Sequence, residues 1–413
     1  MASLMQHYYK WRQRRTFRDE GGRKALILAW SHASNTVLSL AGSLAGGLTA
    51  NDVDVTILNL SDKRQRRKLG SFPRRYFSQV FLMGSVPLRY NCNGLPIHDY
   101  FEADIYFWVL DPIIYDLDRT KETRDYFEKS RQCSRLHCLF PDSSYIQFVE
   151  SWIGTQSIYF PFAGNFNREG EENNFYDANA QKRSGIVVLA NIGQELNDRA
   201  SQSLREIIEA IDPFGLSPRQ RASLAEHVMN DEAHSNIAIS VGNFMQIPFQ
   251  EMYDSRIISF LAALDASEKR RRRVLVIDSI RTLNIDIIGS GWQKILGDRP
   301  NITYSAKPVQ HEFLGDFFAG HRVLLDFSPN WDHGFNDRVI TSIGAGCRVV
   351  TSRNAAVAEL GDAATLVSSY TMVHPEPEAT LDIALNAPPV DENLISRIKA
   401  DQNWHGRVSQ LLS

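Results

Sequence analysis

Two tandem α/β domains, each built on a parallel sheet, are what this sequence predicts. Three observations carry that reading. Short apolar runs of strand length alternate with stretches of helical period along most of the chain. One polar segment without apolar period, residues 165–185, interrupts the alternation. The chain has 413 residues, more than one average domain holds.

The opening "MASLMQHYYKWRQRRTFRDEGGRK" has no apolar core and does not read as a secretory signal. It sets Tyr8, Tyr9 and Trp11 among Arg12, Arg14, Arg15 and Arg18, which suits either a solvated helix or an anionic bilayer surface. "KALILAWS" (24–31) turns polar at its end and reads as a buried strand. Val37, Leu40, Ala41, Leu44 and Leu48 then recur at helical spacing, and "VDVTILNL" (53–60) is the next strand. Strands of such a β-α-β unit lie parallel with both faces covered. "QVFLMGSV" (79–86), "ADIYFWVLD" (103–111), "LHCLFP" (136–141) and "SIYFPFAG" (157–164) continue the pattern. The first domain is expected over residues 1–164, with 165–185 as linker.

A second alternation follows. "GIVVLANIG" (185–193) is a strand, Leu204, Ile207, Ile208 and Ile211 mark a helix, and Ser217-Pro218 has the form of a helix start. "EKRRRRVLVIDSIRT" reads as a helix whose charged part, 268–273, is a solvated face rather than a nucleic-acid patch. "NIDIIGSGW" (284–292), "NITYSA" (301–306), "HRVLLDFS" (321–328), "CRVVTS" (347–352) and "ATLVSS" (364–369) read as strands. The second domain is expected over 186–390. Leu394, Ile395, Ile398, Trp404, Val408 and Leu411 make the tail, 391–413, a helix.

Composition excludes several classes. Apolar residues at 43% and charged residues at 23% are ordinary for a globular protein, and a net charge of -3 gives no general attraction to nucleic acid. Four cysteines, Cys92, Cys133, Cys138 and Cys347, fit a reducing compartment, so a cytoplasmic setting is expected. Cys133 and Cys138 flank His137, but no second ligand pair follows at zinc spacing. No run reaches the roughly 20 apolar residues of a membrane span.

In open parallel sheets, ligands bind beyond the carboxyl ends of the strands. Those ends supply Asn191 and Gly193; Gly289, Ser290, Gly291 and Trp292; Trp331, Asp332, His333, Gly334, Phe335, Asn336, Asp337 and Arg338; and Thr351 to Asn354. Glycines there let backbone N–H groups approach an anion, a following helix N-terminus adds partial positive charge, and Arg338 offers a fixed charge for phosphate. The plain alternatives are turn glycines, a polar surface loop, and an Arg338 that pairs with Asp332 or Asp337 to hold that loop.

The segment from Asn284 to Ser352 resembles the C-terminal half of group-1-type glycosyltransferases of the GT-B fold, nearest their spore-maturation branch. The resemblance rests on Gly289, Gly291 and Trp292; on Gly334, Phe335 and Arg338; and on Ala345, Gly346, Val349 and Val350. The N-terminal half agrees only in its alternation. The resemblance implies two Rossmann-like domains with a cleft between them and a nucleotide-sugar donor held mainly by the second. The acceptor would be a hydroxyl of a glycan, a lipid-linked glycan or a protein. Asn191, Gly193, Ser290, Gly291, Trp292, His333 to Arg338 and Thr351 are then the expected donor contacts.

One departure matters. Thr341 stands where many such enzymes carry a Glu that holds the ribose hydroxyls, so ribose recognition either differs or falls to a neighbour such as Asp337. Asp52-Val53-Asp54 and Asp116-Leu117-Asp118 match by letters the metal motif of the other glycosyltransferase fold. Both read as the starts of regular elements, where Asp is capping chemistry, so no metal or other cofactor is expected. For the catalytic base, His32 and Asp111 stand just past two strands of the first sheet, similar to inverting enzymes in which an Asp orients a His; Asp142 is the fallback. A nucleotide-sugar epimerase and a non-catalytic binding module are the alternative functions. A peripheral contact with the inner face of the membrane through the basic N-terminus is the remaining expectation.

Overall fold

The computed structural model describes residues 22–31, 36–119, 121–130, 133–166, 184–192, 203–232, 236–327 and 332–413. The chain divides into two compact units. The first comprises Met1–Phe140, Ile153–Phe160 and Trp404–Ser413, the second Pro141–Trp152 and Pro161–Asn403.

The first unit contains β1 (Arg23–Ala29), β2 (Val53–Asn59), β3 (Gln79–Met83), a small hairpin of β4 (Asn91–Cys92) and β5 (Leu95–Pro96), then β6 (Asp104–Trp108), β7 (Leu136–Phe140) and β8 (Gln156–Tyr159). Its six-stranded sheet runs β2-β1-β3-β6-β7-β8, with every pairing parallel. Ala25 to Ala29 are fully buried, which is why β1 is an unbroken apolar run rather than an alternating one. The helix Thr36–Thr49 crosses from β1 to β2 and buries Leu40, Ala41, Leu44 and Leu48. At Gly47 a Cβ would lie 2.6 Å from the Trp404 carbonyl oxygen, so glycine is what lets the helix Trp404–Leu412 close on this one. Trp404 also sets its indole edge-on to Trp108, centroids 5.4 Å apart. The tail is therefore two helices, Glu392–Asp401 and Trp404–Leu412, and the second belongs to the first unit.

The second unit contains β9 (Ser184–Leu189), β10 (Ile285–Ile288), β11 (Ile302–Ser305), β12 (His321–Leu325), β13 (Arg348–Ser352) and β14 (Val367–Tyr370). Their order is β11-β10-β9-β12-β13-β14, again all parallel. Successive residues face opposite sides. Ile186, Val188, Ile287, Val323, Leu325 and Val350 form one core with Trp292 and Leu381. Val187, Leu324 and Val349 form the other with Phe318, Phe335, Val339 and Ile343. Each such aliphatic side chain contributes about 1.5–3 kcal/mol on burial. β14 begins at Val367 rather than at 364, because Ala355–Leu366 is taken up by 3₁₀ turns that bury Ala363 and Leu366.

The helix Ser255–Asp278 corrects one expectation. Its charged stretch is not a solvated face: Glu268, Lys269 and Arg272 are buried. Lys269 Nζ lies 2.5 Å from Asp265 Oδ2, and Glu268 takes both Arg271 and Arg272. Arg271 and Arg272 further donate to the Met229, Val228 and Asp231 carbonyls at the end of the helix Pro218–Asn230. Charges three and four residues apart neutralise one another, and the guanidinium groups satisfy carbonyls that a helix end leaves without partners. Among the described residues no helix is long and apolar enough to cross a membrane.

Candidate functional site

Each sheet reverses its winding at one point, and the crevice there is where open α/β sheets bind ligands. In the second unit the reversal lies between β9 and β12. Past β9, Asn191 Oδ1 accepts the Ser290 backbone N–H at 2.9 Å and its hydroxyl at 3.2 Å. Arg273 donates to the Asn191 carbonyl at 2.9 Å. The two connections touch because Gly289 and Gly291 have φ of 151° and 89°, and a Cβ on them would lie 2.0 Å from the Ala190 oxygen and 2.2 Å from the Ile192 oxygen. The glycines thus serve backbone packing, and the Ser290 N–H expected to meet an anion is spent on Asn191.

Trp292 is a core residue rather than a ligand contact. It is 1% exposed, donates its indole N–H to the Ala190 carbonyl at 2.7 Å and stacks on Phe327. Gly193 lies outside the described residues.

Past β12 stands Asp326, 2% exposed, which the sequence reading passed over. Arg338 donates Nε–H to Asp326 Oδ1 at 2.8 Å, so Asp326, not Asp332 or Asp337, is its partner. Thr351 Oγ1 lies 3.4 Å from Asp326 Oδ2, and the Tyr370 hydroxyl donates to the Asp326 carbonyl at 3.1 Å. Burial first, and the Asp326 charge second, push the Tyr370 phenol well up and keep it protonated. Arg338 is 22% exposed, and its two terminal nitrogens take no hydrogen bond among the described residues. A guanidinium fixed along one edge with the other open is a receptor for a doubly oxygenated anion.

The loop before Arg338 is braced by three segments. Asp332 donates its N–H to Asp142 Oδ2 at 2.7 Å, and its carbonyl accepts from Ala355 N at 3.0 Å. Ser143 N–H reaches the His333 carbonyl at 3.4 Å, and Asn354 Nδ2 donates to the Gly334 carbonyl at 2.6 Å. Asn236 N–H lies 3.4 Å from Asp332 Oδ2. Burial raises the Asp142 carboxyl, the Ser144 hydrogen bond pulls the other way, and the Asp332 charge adds to the rise. This clamp presents His333 to solvent and turns Phe335 inward at 5% exposure, so Phe335 is core and not a donor contact. Asn336 takes the capping backbone position of the helix Asp337–Gly344.

Asp337 and Thr341 both have protein partners. Asp337 is paired with His311 Nε2, and Thr341 is fully buried, its hydroxyl accepting the Asn165 N–H at 3.1 Å. Thr351 is likewise fully buried. The structure brings together Asn191 with Ser290, and Arg338 with Thr351 through Asp326.

In the first unit the reversal lies between β1 and β3. His32 falls among residues 32–35, outside the described residues. β6 ends at Trp108, so Asp111 stands three residues past it, exposed, opening the turn before the helix Ile113–Arg119. Past β3, Ser85 donates its hydroxyl to Asp116 Oδ1 at 2.5 Å, and both residues are buried. Asp116 is therefore a buried helix residue rather than a cap. Burial lifts its carboxyl to about 6 against the Ser85 hydrogen bond, with Asp111 adding to the rise.

A raised value means the folded protein holds this proton more tightly than the unfolded chain. Stability is then greatest below the ordinary value of 3.8 and falls as pH rises toward about 6. Asp116→Asn keeps an acceptor for Ser85 and removes the buried charge. It is expected to raise unfolding free energy at neutral pH by up to about 3 kcal/mol. The gain should shrink on acidification, which denaturant titrations across pH will show; a loss of stability at neutral pH contradicts the account. Among the described residues no three His, Cys, Asp or Glu side chains group as metal ligands.

No family model matches the chain, and no curated protein matches it. Solved structures do. Sucrose-phosphate synthase from Thermosynechococcus elongatus is 10% identical, with a TM-score of 0.47 over 94% of this chain and 97% of that one. A UDP-forming trehalose-phosphate synthase from Burkholderia vietnamiensis is 11% identical, with a TM-score of 0.42 over 95% and 98%. WaaG, a glycosyltransferase involved in lipopolysaccharide biosynthesis, is 11% identical, with a TM-score of 0.40 over 94% of each chain. At that level of likeness no activity and no residue role transfers.

Proposed function

We propose that the protein is a glycosyltransferase that moves a sugar from a nucleotide-sugar donor to a hydroxyl of a glycan, a lipid-linked glycan or a protein. One observation carries the reading: Arg338 is fixed by the buried Asp326 at the winding reversal of the second sheet, with its terminal nitrogens open. It sits in the Gly334-Phe335…Arg338 stretch that resembles the donor loop of group-1 enzymes. Exposed His333 and Asn191, the latter held by the half-buried Ser290, and the start of the helix Asp337–Gly344 complete the donor side.

Charge on the diphosphate is met by Arg338 and backbone dipoles in this reading, with no metal or other cofactor. Nucleotide diphosphates should therefore raise the melting temperature of the whole protein. Arg338→Ala should weaken that binding about 10- to 100-fold, the scale of a charge-assisted hydrogen bond. Transfer to a sugar acceptor should continue in EDTA. Equal stabilisation of wild type and Arg338→Ala, or activity that EDTA abolishes and magnesium restores, sinks the respective claim.

For the base that takes the acceptor proton, the candidates are His32 oriented by Asp111, or Asp111 alone; His32 is offered from sequence only. Asp111→Asn and His32→Ala are each expected to lower turnover at least about tenfold with donor affinity unchanged. Near-normal turnover in both moves the role elsewhere. A cytoplasmic setting is supported by four free cysteines. The membrane contact through residues 8–18 rests on sequence alone, since those residues lie outside the described ones.

A further inference from the structure

We infer that the first unit carries a docking surface for anionic lipid headgroups, formed by the helix Lys63–Leu69 and the tip of the β4–β5 hairpin. The helix, KRQRRKL, buries only Leu69. At about 100° per residue, Lys63, Arg64, Arg67 and Lys68 fall within an arc of roughly 140° centred opposite Leu69. All four are exposed, and among the described residues none lies within 4 Å of a carboxylate. Neighbouring cations differ: Arg75 is paired with Glu102, Arg74 donates to the Tyr100 and Asp99 carbonyls, and Arg66 lies over the Tyr90 ring.

Local helix chemistry does not ask for this pattern. Cations suit a last turn, but Lys63 and Arg64 occupy the first, which holds no acidic residue and where the helix dipole opposes positive charge. Asp62 offsets part of that by accepting the Arg64 N–H at 2.7 Å.

The end of this helix is tied to a hairpin that carries an exposed apolar residue. Asn93 and Gly94, with φ of 52° and 85°, make the hairpin turn, and Asn93 Nδ2 donates to the Gly70 carbonyl at the end of the basic helix, 3.2 Å away. The next residue, Leu95, is 42% exposed, one of three large apolar side chains so exposed among the described residues. An exposed cationic helix face tied through Asn93 to a hairpin that carries an exposed leucine matches a bilayer surface, where headgroups meet the charge and the acyl boundary takes the side chain. A nucleic acid would reward the cations but not Leu95. With a net charge of -3 the whole chain is no general polyanion binder, so the effect is local.

The test uses the full chain and co-sedimentation with vesicles of phosphatidylcholine, alone or mixed with phosphatidylglycerol. Binding is expected only to the mixed vesicles and should weaken with salt. Replacing Lys63, Arg64, Arg67 and Lys68 together by Gln should lower it at least about tenfold. Leu95→Ser should lower it about threefold without changing the salt dependence. The side chains are exposed, and an unchanged melting temperature will show the fold kept. The inference is overturned if wild type binds neither vesicle, or if the fourfold variant binds like wild type. It is also overturned if Gln at Arg12, Arg14, Arg15 and Arg18 removes all binding while the fourfold variant keeps it, or if single-stranded RNA binds more tightly than mixed vesicles at equal salt.

Discussion

Asp326→Ala is expected to cost about 3 kcal/mol of unfolding free energy and to lower nucleotide-diphosphate affinity at least tenfold. Asp326 is 2% exposed and accepts the Nε–H of Arg338 at 2.8 Å. Its removal leaves a partly covered guanidinium without a counter-charge and the Thr351 hydroxyl without an acceptor. The cost of breaking such a pair from one side exceeds the worth of the pair itself, because the remaining charge stays desolvated. Donor affinity should fall because the fork loses the edge that aims it. Arg338→Ala combined with Asp326→Ala separates the two effects. If the residues act as a pair, the double variant is more stable than the sum of the singles predicts. Additive losses, or an Asp326→Ala protein as stable as wild type, would remove Asp326 from the site.

The strands were legible because a parallel sheet covered on both faces writes each strand as an apolar run. β1, β9 and β13 are such runs, and no partner need be known to see them. The charged part of the helix Ser255–Asp278 was not legible. Its burial depends on carbonyls at Val228, Met229 and Asp231, some forty positions away, which no local pattern announces. The loop before Arg338 was legible as a polar strand-to-helix connection, but which of its side chains face outward was not. His333 and Phe335 look alike as candidates by position. Only the clamp on Asp332 and Gly334 turns one out and the other in. Asp326 had a signal that was available: a carboxylate closing an apolar strand needs a partner, and Arg338 follows twelve positions later. Trp292 had the opposite problem, since a tryptophan after a Gly-rich turn gives no sign of whether its ring enters the core or the crevice.

Gly334→Ala is expected to raise the donor dissociation constant at least about thirtyfold and to lower the melting temperature. A Cβ at residue 334 would lie 2.0 Å from the Pro141 oxygen, 2.9 Å from its carbon and 3.2 Å from the Asp142 Cα, all backbone atoms that no rotamer change relieves. The loop would have to retreat. Retreat breaks the bond from Asn354 Nδ2 to the Gly334 carbonyl and pulls Asp332 N–H away from Asp142 Oδ2, which leaves buried polar groups unpaired. Arg338 follows four residues later on the helix that this loop feeds, so a shift of about an ångström there moves the anion receptor off target. Stability and affinity should therefore fall together. Asp142→Ala is the companion variant, because it releases the same loop without any steric clash. It should reproduce the affinity loss if docking of the loop is what matters. Normal donor binding in Gly334→Ala would show that the loop tolerates displacement and that the donor is held elsewhere. A weakened donor in Gly334→Ala with normal binding in Asp142→Ala would place the effect in the clash alone and take the clamp out of the binding mechanism.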